Sequence, residues 1–174
     1  TRDGTTLRLF LNGVASGTST ASLGTSNYPL SIATGGTGRV GMGGFMSDVR
    51  VVKGTAVYTS AFTPPTAPST AITNTSALFS FTNAAMFDQT GKTNVQTVGN
   101  AQLDSGVKKF GTASAAFDGN GDRLILSNKN LAPVGTQSFT IECFIYVNAN
   151  KNYNGIYSAG FGIQMYVNSS GKLQ

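Results

Sequence analysis

Apolar and polar residues alternate with a period of two along most of this chain, which is the pattern of a half-buried β-strand. The clearest example is residues 138–147, where apolar side chains fall on one face and a polar and aromatic set falls on the other. The same pattern, in shorter form, predicts strands at 7–11, 29–33, 45–52, 77–82, 113–118, 123–126, 154–158 and 162–167. Helical spacing is rare, and only residues 54–58 are predicted as a single helical turn. The fold class is therefore all-β, and we expect an antiparallel β-sandwich.

Turn and breaker residues divide the predicted strands into groups. Asn12-Gly13 predicts a tight hairpin turn, because both central positions of that turn require a positive φ. Residues 36–41 fit G-x-G-x-x-G but precede a predicted strand rather than a helix, so we interpret them as a loop. Prolines at 64, 65 and 68 predict that the chain leaves the sheet. Residues 67–76 are then a linker between unit 1–66 and unit 77–174.

Composition narrows the partners that the chain could have. The net charge is +5, but the basic residues are scattered singly apart from Lys108-Lys109, whereas a nucleic-acid interface needs them clustered. No run of about 18 apolar residues is present, so we predict neither a nucleic-acid nor a membrane partner. The single cysteine, Cys143, lies in an apolar strand and is interpreted as a small buried hydrophobic residue.

Three segments carry a family resemblance. Residues 117–124 read F-D-G-N-G-D-R-L, residues 137–146 read Q-S-F-T-I-E-C-F-I-Y, and residues 46–58 read M-S-D-V-R-V-V-K-G-T-A-V-Y. A tail F-T-P-P-T follows at 62–66. Together they resemble the concanavalin A-like, laminin-G-like jelly-roll domains that are repeated in phage virion proteins and bacterial surface proteins. The resemblance implies a jelly-roll sandwich located on a virion or outside the cell.

The order of these segments differs from the order in that family. The segment that closes a domain in the family comes first here, within 1–66, and the segments that open a domain come second, within 77–174. The chain therefore reads as a C-terminal half followed by an N-terminal half. Two explanations remain open: a piece of a tandem array, or a circular permutation whose halves close into one sandwich. We favour the tandem array, because permutation requires adjacent termini.

The resemblance implies a non-catalytic structural or adhesion module, with neighbouring copies or domains and cell-surface polysaccharide as partners. The alternatives are a carbohydrate-binding module of a secreted glycoside hydrolase, or a glycosidase itself. A glycosidase needs two carboxylates that flank the bond. The chain has one glutamate, Glu142, and no histidine, so we predict that it is not an enzyme.

Two sets of residues are candidates for ligand binding. Asp88 and Asn94 lie in a stretch that resembles a calcium-binding stretch of the family, and Asp118 and Asp122 flank a second oxygen-rich turn. Calcium takes such oxygens, but Asp and Asn also form Asx-turns without any metal. The second set comprises Tyr146, Tyr153 and Asn152, the candidates for sugar binding, with cross-strand packing as the alternative role of the aromatic rings.

Overall fold

The computed structural model describes residues 1–24, 28–35, 41–149, 152–159 and 163–174. Apart from one 3₁₀ turn at Lys129–Leu131, the regular structure in these residues is β-strand. The strands are β1 (Arg2–Asp3), β2 (Thr6–Leu11), β3 (Val14–Ser19), β4 (Leu30–Ile32), β5 (Gly43–Lys53), β6 (Thr75–Phe79), β7 (Val95–Val98), β8 (Gln102–Asp104), β9 (Ser114–Asp118), β10 (Arg123–Leu126), β11 (Phe139–Val147), β12 (Asn154–Ala159) and β13 (Ile163–Val167).

The strands form two antiparallel sheets. The larger sheet has the order β3-β2-β1-β11-β5-β9-β8, and β6 also pairs with β5. The smaller sheet has the order β13-β12-β4-β10-β7. One hydrophobic core joins them, because its buried residues come from both sheets, including Met46 and Phe117 from the larger and Leu124 and Ile156 from the smaller. The architecture is a β-sandwich, which confirms the all-β prediction and its antiparallel sheets.

Each sheet contains strands from both parts of the chain, and strands of one part lie between strands of the other. In the larger sheet β5 lies between β11 and β9, and in the smaller sheet β4 lies between β12 and β10. Residues 1–66 and 77–174 therefore complete each other's sheets and share one core. The tandem array and the circular permutation both remain open as explanations of the sequence order. Both are compatible with this arrangement of strands, because they differ in how the sequence arose and not in how these residues pack.

The predicted linker 67–76 packs against the larger sheet. The Ser69 backbone N–H and hydroxyl donate to the buried Asp48 carboxylate, the hydroxyl at 2.7 Å, and the Thr70 carbonyl accepts from Arg50 at 2.9 Å. The last residues of this segment belong to β6, which begins at Thr75. The segment therefore covers the outward face of β5.

Two local predictions are wrong. Residues 54–58 form no helical turn, because Gly54 has φ +99° and the Val57 N–H donates to the Thr140 hydroxyl instead of to a preceding carbonyl. The strict alternation predicted for the strand at 45–52 would put residues 45, 47, 49 and 51 on one face, but an extra residue at the bulge by Asp48 (φ +55°) shifts the pairing with β11 and separates 45 and 47 from 49 and 51. Residues 36–40 of the predicted glycine-rich loop lie outside the described residues.

Candidate functional site

The outward face of the larger sheet carries two adjacent aromatic side chains at one end. Tyr146 of β11 lies directly opposite Phe45 of β5, and their ring centroids are 6.2 Å apart. Phe45 in turn lies opposite Ala116 of β9, which lies opposite Gln102 of β8. We call these four residues the aromatic row. The row crosses four strands and consists of two aromatic rings, the small side chain of Ala116 and the side-chain amide of Gln102.

Tyr146 is the most exposed ring of this row, with 62% of its surface accessible. The Tyr146 ring is therefore accessible to a ligand from the solvent side of the sheet. Its neighbour Phe45 is partly buried and holds one side of the tyrosine ring. The row therefore offers an exposed aromatic surface made of two rings tilted by 54° to each other, with the polar Gln102 at its far end.

The next residues along the same face are covered. The Phe144 ring packs edge-on against Phe110, with centroids 5.0 Å apart, and the Lys109 ammonium lies 5.6 Å from the Phe144 centroid. Lys109 and Phe110 belong to the loop between β8 and β9. The Lys109 backbone N–H donates to the Ser47 hydroxyl of β5, which fixes this loop on the sheet. The loop thus ends the aromatic row on one side and leaves Tyr146 exposed.

The structure places the other two predicted sugar-binding residues in a different setting. Tyr153 and Asn152 precede β12 of the smaller sheet, whereas Tyr146 belongs to the larger one. The Tyr153 ring packs on Tyr166, with centroids 4.9 Å apart. Tyr146 and Tyr153 therefore have different ring partners, and a sugar site built from all three predicted residues stays a prediction. Sequence reasoning missed Phe45 and Gln102, because only the cross-strand register places Phe45 beside Tyr146 and Gln102 in the same row, three strands away.

Asp88 is buried in its own loop. Its carboxylate accepts the Leu78 N–H at 2.9 Å, the Thr90 N–H and hydroxyl at 3.0 and 2.7 Å, and the Lys92 N–H at 3.1 Å. These donors take the lone pairs that a cation would need. Asn94 lies exposed at the loop before β7, where its backbone pairs with Ser127. The geometry of Asp88 is that of an Asx-type loop closure, and calcium binding here stays a prediction.

Asp118 and Asp122 do come together, around Asn100. The Asp122 carboxylate accepts the Asn100 N–H and the Asp118 N–H, both at 2.8 Å, and only 1% of Asp122 is exposed. With its amide nitrogen turned to the carboxylates, Asn100 also donates to Asp118 Oδ2 at 3.0 Å. The reverse orientation would place amide and carboxylate oxygens together, where they repel each other unless a cation or a carboxyl proton lies between them. Within the described residues, no three His, Cys, Asp or Glu side chains gather as metal ligands.

Glu142 is fully engaged in contacts between elements. Its Oε1 accepts the Arg50 Nε–H at 2.6 Å and contacts Arg50 Nη2 at 2.5 Å, and its Oε2 accepts the Tyr58 hydroxyl at 2.9 Å. Burial, together with the nearby Glu142 carboxylate, raises the pKa of Tyr58 to about 12, so that hydroxyl stays a donor. This arrangement ties β5, β11 and residues 54–74 together.

Comparisons of the chain with protein-family models, with curated proteins and with solved structures gave no match. In the part of the chain that the structure describes, no helix is long and apolar enough to cross a membrane.

Proposed function

We propose that this chain is a non-catalytic structural and adhesion module of a virion or microbial surface protein, and that it binds surface glycan through the aromatic row. The sandwich would be of the concanavalin A-like jelly-roll type that the sequence resembles. Its location would be on a virion or outside the cell, where such a surface meets polysaccharide.

The observation that carries the proposal is the exposed Tyr146 ring held beside Phe45. Sugar rings present C–H groups that pack on aromatic faces, and a tyrosine adds a hydroxyl for hydrogen bonding. Ala116 leaves room beside the rings, and Gln102 supplies an amide donor and acceptor within the same row. A small number of polar groups around an apolar platform is the usual composition of a ligand site.

The role of Glu142 supports a module without catalysis. A glycosidase acid must reach the bond that it protonates and needs a second carboxylate across that bond. Here Arg50 and Tyr58 occupy both oxygens of the glutamate. The side chain acts as a structural connector between β5 and β11, and the aromatic row is a binding surface separate from it.

A glycan array with the purified chain tests the proposal. We expect binding to a subset of microbial surface polysaccharides, and loss of that binding in Tyr146→Ala. Phe87→Ala is the matched control, because Phe87 is an exposed aromatic residue (51%) outside the row. Absence of binding to any polysaccharide, or equal binding by both variants, would contradict the adhesion role. Preference for plant or storage polysaccharides would favour the carbohydrate-binding module of a glycoside hydrolase.

A further inference from the structure

Asparagine is followed by glycine at three places in this chain: Asn12-Gly13, Asn120-Gly121 and Asn154-Gly155. In such a pair the asparagine side chain can react with the backbone nitrogen of the glycine, because glycine has no Cβ to hinder the approach. The reaction needs a free side-chain amide, a free backbone N–H and room for the peptide plane between the two residues to turn. The fold treats the three pairs differently in these respects.

Asn120 and Gly121 form the exposed tip of the turn between β9 and β10. Among the described residues, neither the Asn120 side-chain amide nor the Gly121 backbone N–H makes a hydrogen bond. A Cβ at Gly121 would meet no atom within 4 Å, so the space around this residue is open. This pair therefore meets all three conditions for the reaction.

The residues on either side of this tip are held in place. Asp118 Oδ1 accepts the Asn120 backbone N–H at 2.6 Å, and the Asp122 carboxylate accepts the Asp118 N–H at 2.8 Å. The Asn120 side chain and the peptide group that follows it can still move, because no hydrogen bond restrains them. Local motion of an exposed turn costs much less free energy than unfolding, so ring closure can occur in the folded protein.

Asn12-Gly13 also lies in a turn, between β2 and β3, but its glycine is fixed. Gly13 is buried, and its carbonyl accepts the Phe62 N–H at 3.0 Å. A Cβ at Gly13 would lie 1.9 Å from the Phe62 carbonyl oxygen, which shows how closely the two backbones pack. The peptide plane between Asn12 and Gly13 cannot turn without breaking this contact.

Asn154-Gly155 lies inside β12, where Asn154 is completely buried. The Asn154 Oδ1 accepts the Gly43 N–H at 3.5 Å, and the Asn154 amide nitrogen donates to the Ala149 carbonyl at 3.3 Å. Gly155 pairs with Tyr166 of β13. The side-chain amide is bonded and the backbone is held in a ladder, so this pair is protected while the protein is folded.

We propose that Asn120 is a site of spontaneous deamidation in the folded protein, and that the fold protects Asn12 and Asn154 from the same reaction. The Gly121 nitrogen attacks the side-chain carbonyl carbon of Asn120. The N–Cγ bond forms, the Cγ–Nδ2 bond breaks, and ammonia leaves with the Gly121 amide proton. Water then opens the cyclic imide: opening at the side-chain carbonyl gives aspartate, and opening at the main-chain carbonyl gives isoaspartate. Water is the co-reactant, and no oxidant or reductant takes part.

The modification changes a turn that connects the two sheets, because β9 belongs to the larger sheet and β10 to the smaller. Either product adds a negative charge beside Asp118, whose carboxylate already accepts the backbone N–H of residue 120. Isoaspartate also adds an extra backbone carbon between Asp118 and Asp122, which should weaken the hydrogen bond that closes the turn. We therefore expect the isoaspartate form to melt at a lower temperature than the unmodified protein.

Hydroxylamine tests the proposal without any change to the protein, because it cleaves the chain where the cyclic imide forms. Of the three pairs, we expect the folded protein to be cut between residues 120 and 121, which gives fragments 1–120 and 121–174. In urea the same reagent should cut at all three pairs. In the folded protein, cleavage after Asn120 should be roughly tenfold or more faster than after Asn12 or Asn154, since those sites react only after opening. Equal rates at the three sites in the folded protein, or no cleavage after Asn120, would overturn the proposal.

A matched pair of variants checks the location during ageing in mildly alkaline buffer. Ion-exchange chromatography should show an acidic form that accumulates in the wild type, and peptide mass spectrometry should place the change at Asn120. Asn120→Gln should abolish this form, whereas Asn12→Gln, in the other exposed turn, should leave its accumulation unchanged. An acidic form that accumulates equally in Asn120→Gln would overturn the proposal. The readouts do not involve a glycan, so deamidation and glycan binding can fail independently.

Discussion

Arg50 and Glu142 form an ion pair across the boundary between β5 and β11, with Nη2 2.5 Å from Oε1 and side chains only 8% and 16% exposed. The two residues lie directly opposite each other in the ladder. Arg50 also donates to the Thr70 carbonyl at 2.9 Å, and Glu142 accepts from Tyr58. The pair therefore links β5, which belongs to residues 1–66, to β11, which belongs to residues 77–174. Through Thr70 and Tyr58 it also holds residues 54–74 against these two strands.

Removing one charge of this pair should destabilise the protein. Glu142→Gln leaves the Arg50 guanidinium largely buried without a counter-charge, and we expect the free energy of unfolding to fall by about 2–3 kcal/mol. Urea denaturation measures this change. The double variant Arg50→Met with Glu142→Leu should recover most of the loss, since no buried charge remains. A single variant as stable as wild type would contradict the structural role of Glu142.

Gly13 should tolerate no side chain. It has φ +77°, and a Cβ there would lie 1.9 Å from the Phe62 carbonyl oxygen. That oxygen cannot move freely, because the Phe62 backbone also donates to the Gly13 carbonyl at 3.0 Å. Gly13→Ala should cost about 2–3 kcal/mol of stability, measured by thermal or urea unfolding. Gly17→Ala is the control, because a Cβ at Gly17 meets nothing within 4 Å.

Alkaline pH should weaken the contact between Tyr58 and Glu142. The pKa of Tyr58 is raised from about 10 to about 12 in the folded protein, so the folded state holds that proton more tightly than the unfolded chain does. The stabilising contribution is complete below pH 10 and is lost as the pH rises towards 12. Comparison of Tyr58→Phe with wild type isolates this contribution from those of Cys143 and Tyr157, whose pKa values burial also raises. Wild type and variant should converge in stability over that range, and a constant difference would contradict the hydrogen bond.

Hydrogen bonds from two backbone N–H groups satisfy the buried Asp122 carboxylate. Asp122→Ala leaves the N–H groups of Asn100 and Asp118 without acceptors, and we expect a loss of about 3 kcal/mol. The predicted calcium site at Asp118 and Asp122 has a separate test. If calcium binds there, millimolar calcium should raise the melting temperature of the wild type, chelator should reverse the rise and Asn100→Ala should abolish it. An unchanged melting temperature would contradict the predicted site.

The strand pattern could be predicted where side chains alternate strongly. β11 and β10 were predicted nearly residue for residue, because apolar and β-branched residues mark them. β3 reads V-A-S-G-T-S and β7 reads V-Q-T-V, so neither carries enough apolar alternation to be predicted. Both lie at sheet edges, where solvent covers one side of the ladder and the sequence is less constrained.

Pairings between distant residues could not be predicted from the chain alone. The bulge at Asp48 reverses the facing of β5 between Ser47 and Val49, and nothing in the local sequence marks it. The aromatic row depends on the register that sets Phe45 opposite Tyr146, about a hundred positions apart in sequence. Sequence reasoning found Tyr146 because the alternation of β11 places it with Phe144 on the half-aromatic face, opposite the apolar face. It missed Phe45 because the pairing is non-local.

Glycan affinity of Tyr146 variants tests the proposed function most directly. Isothermal titration with the strongest polysaccharide fragment from the array compares wild type with Tyr146→Phe and Tyr146→Ala. If the ring stacks on sugar, Tyr146→Phe should retain most of the affinity, and Tyr146→Ala should lose about 1–2 kcal/mol or more of binding free energy. Equal affinity of wild type and Tyr146→Ala, with both proteins folded, would contradict glycan binding at the aromatic row.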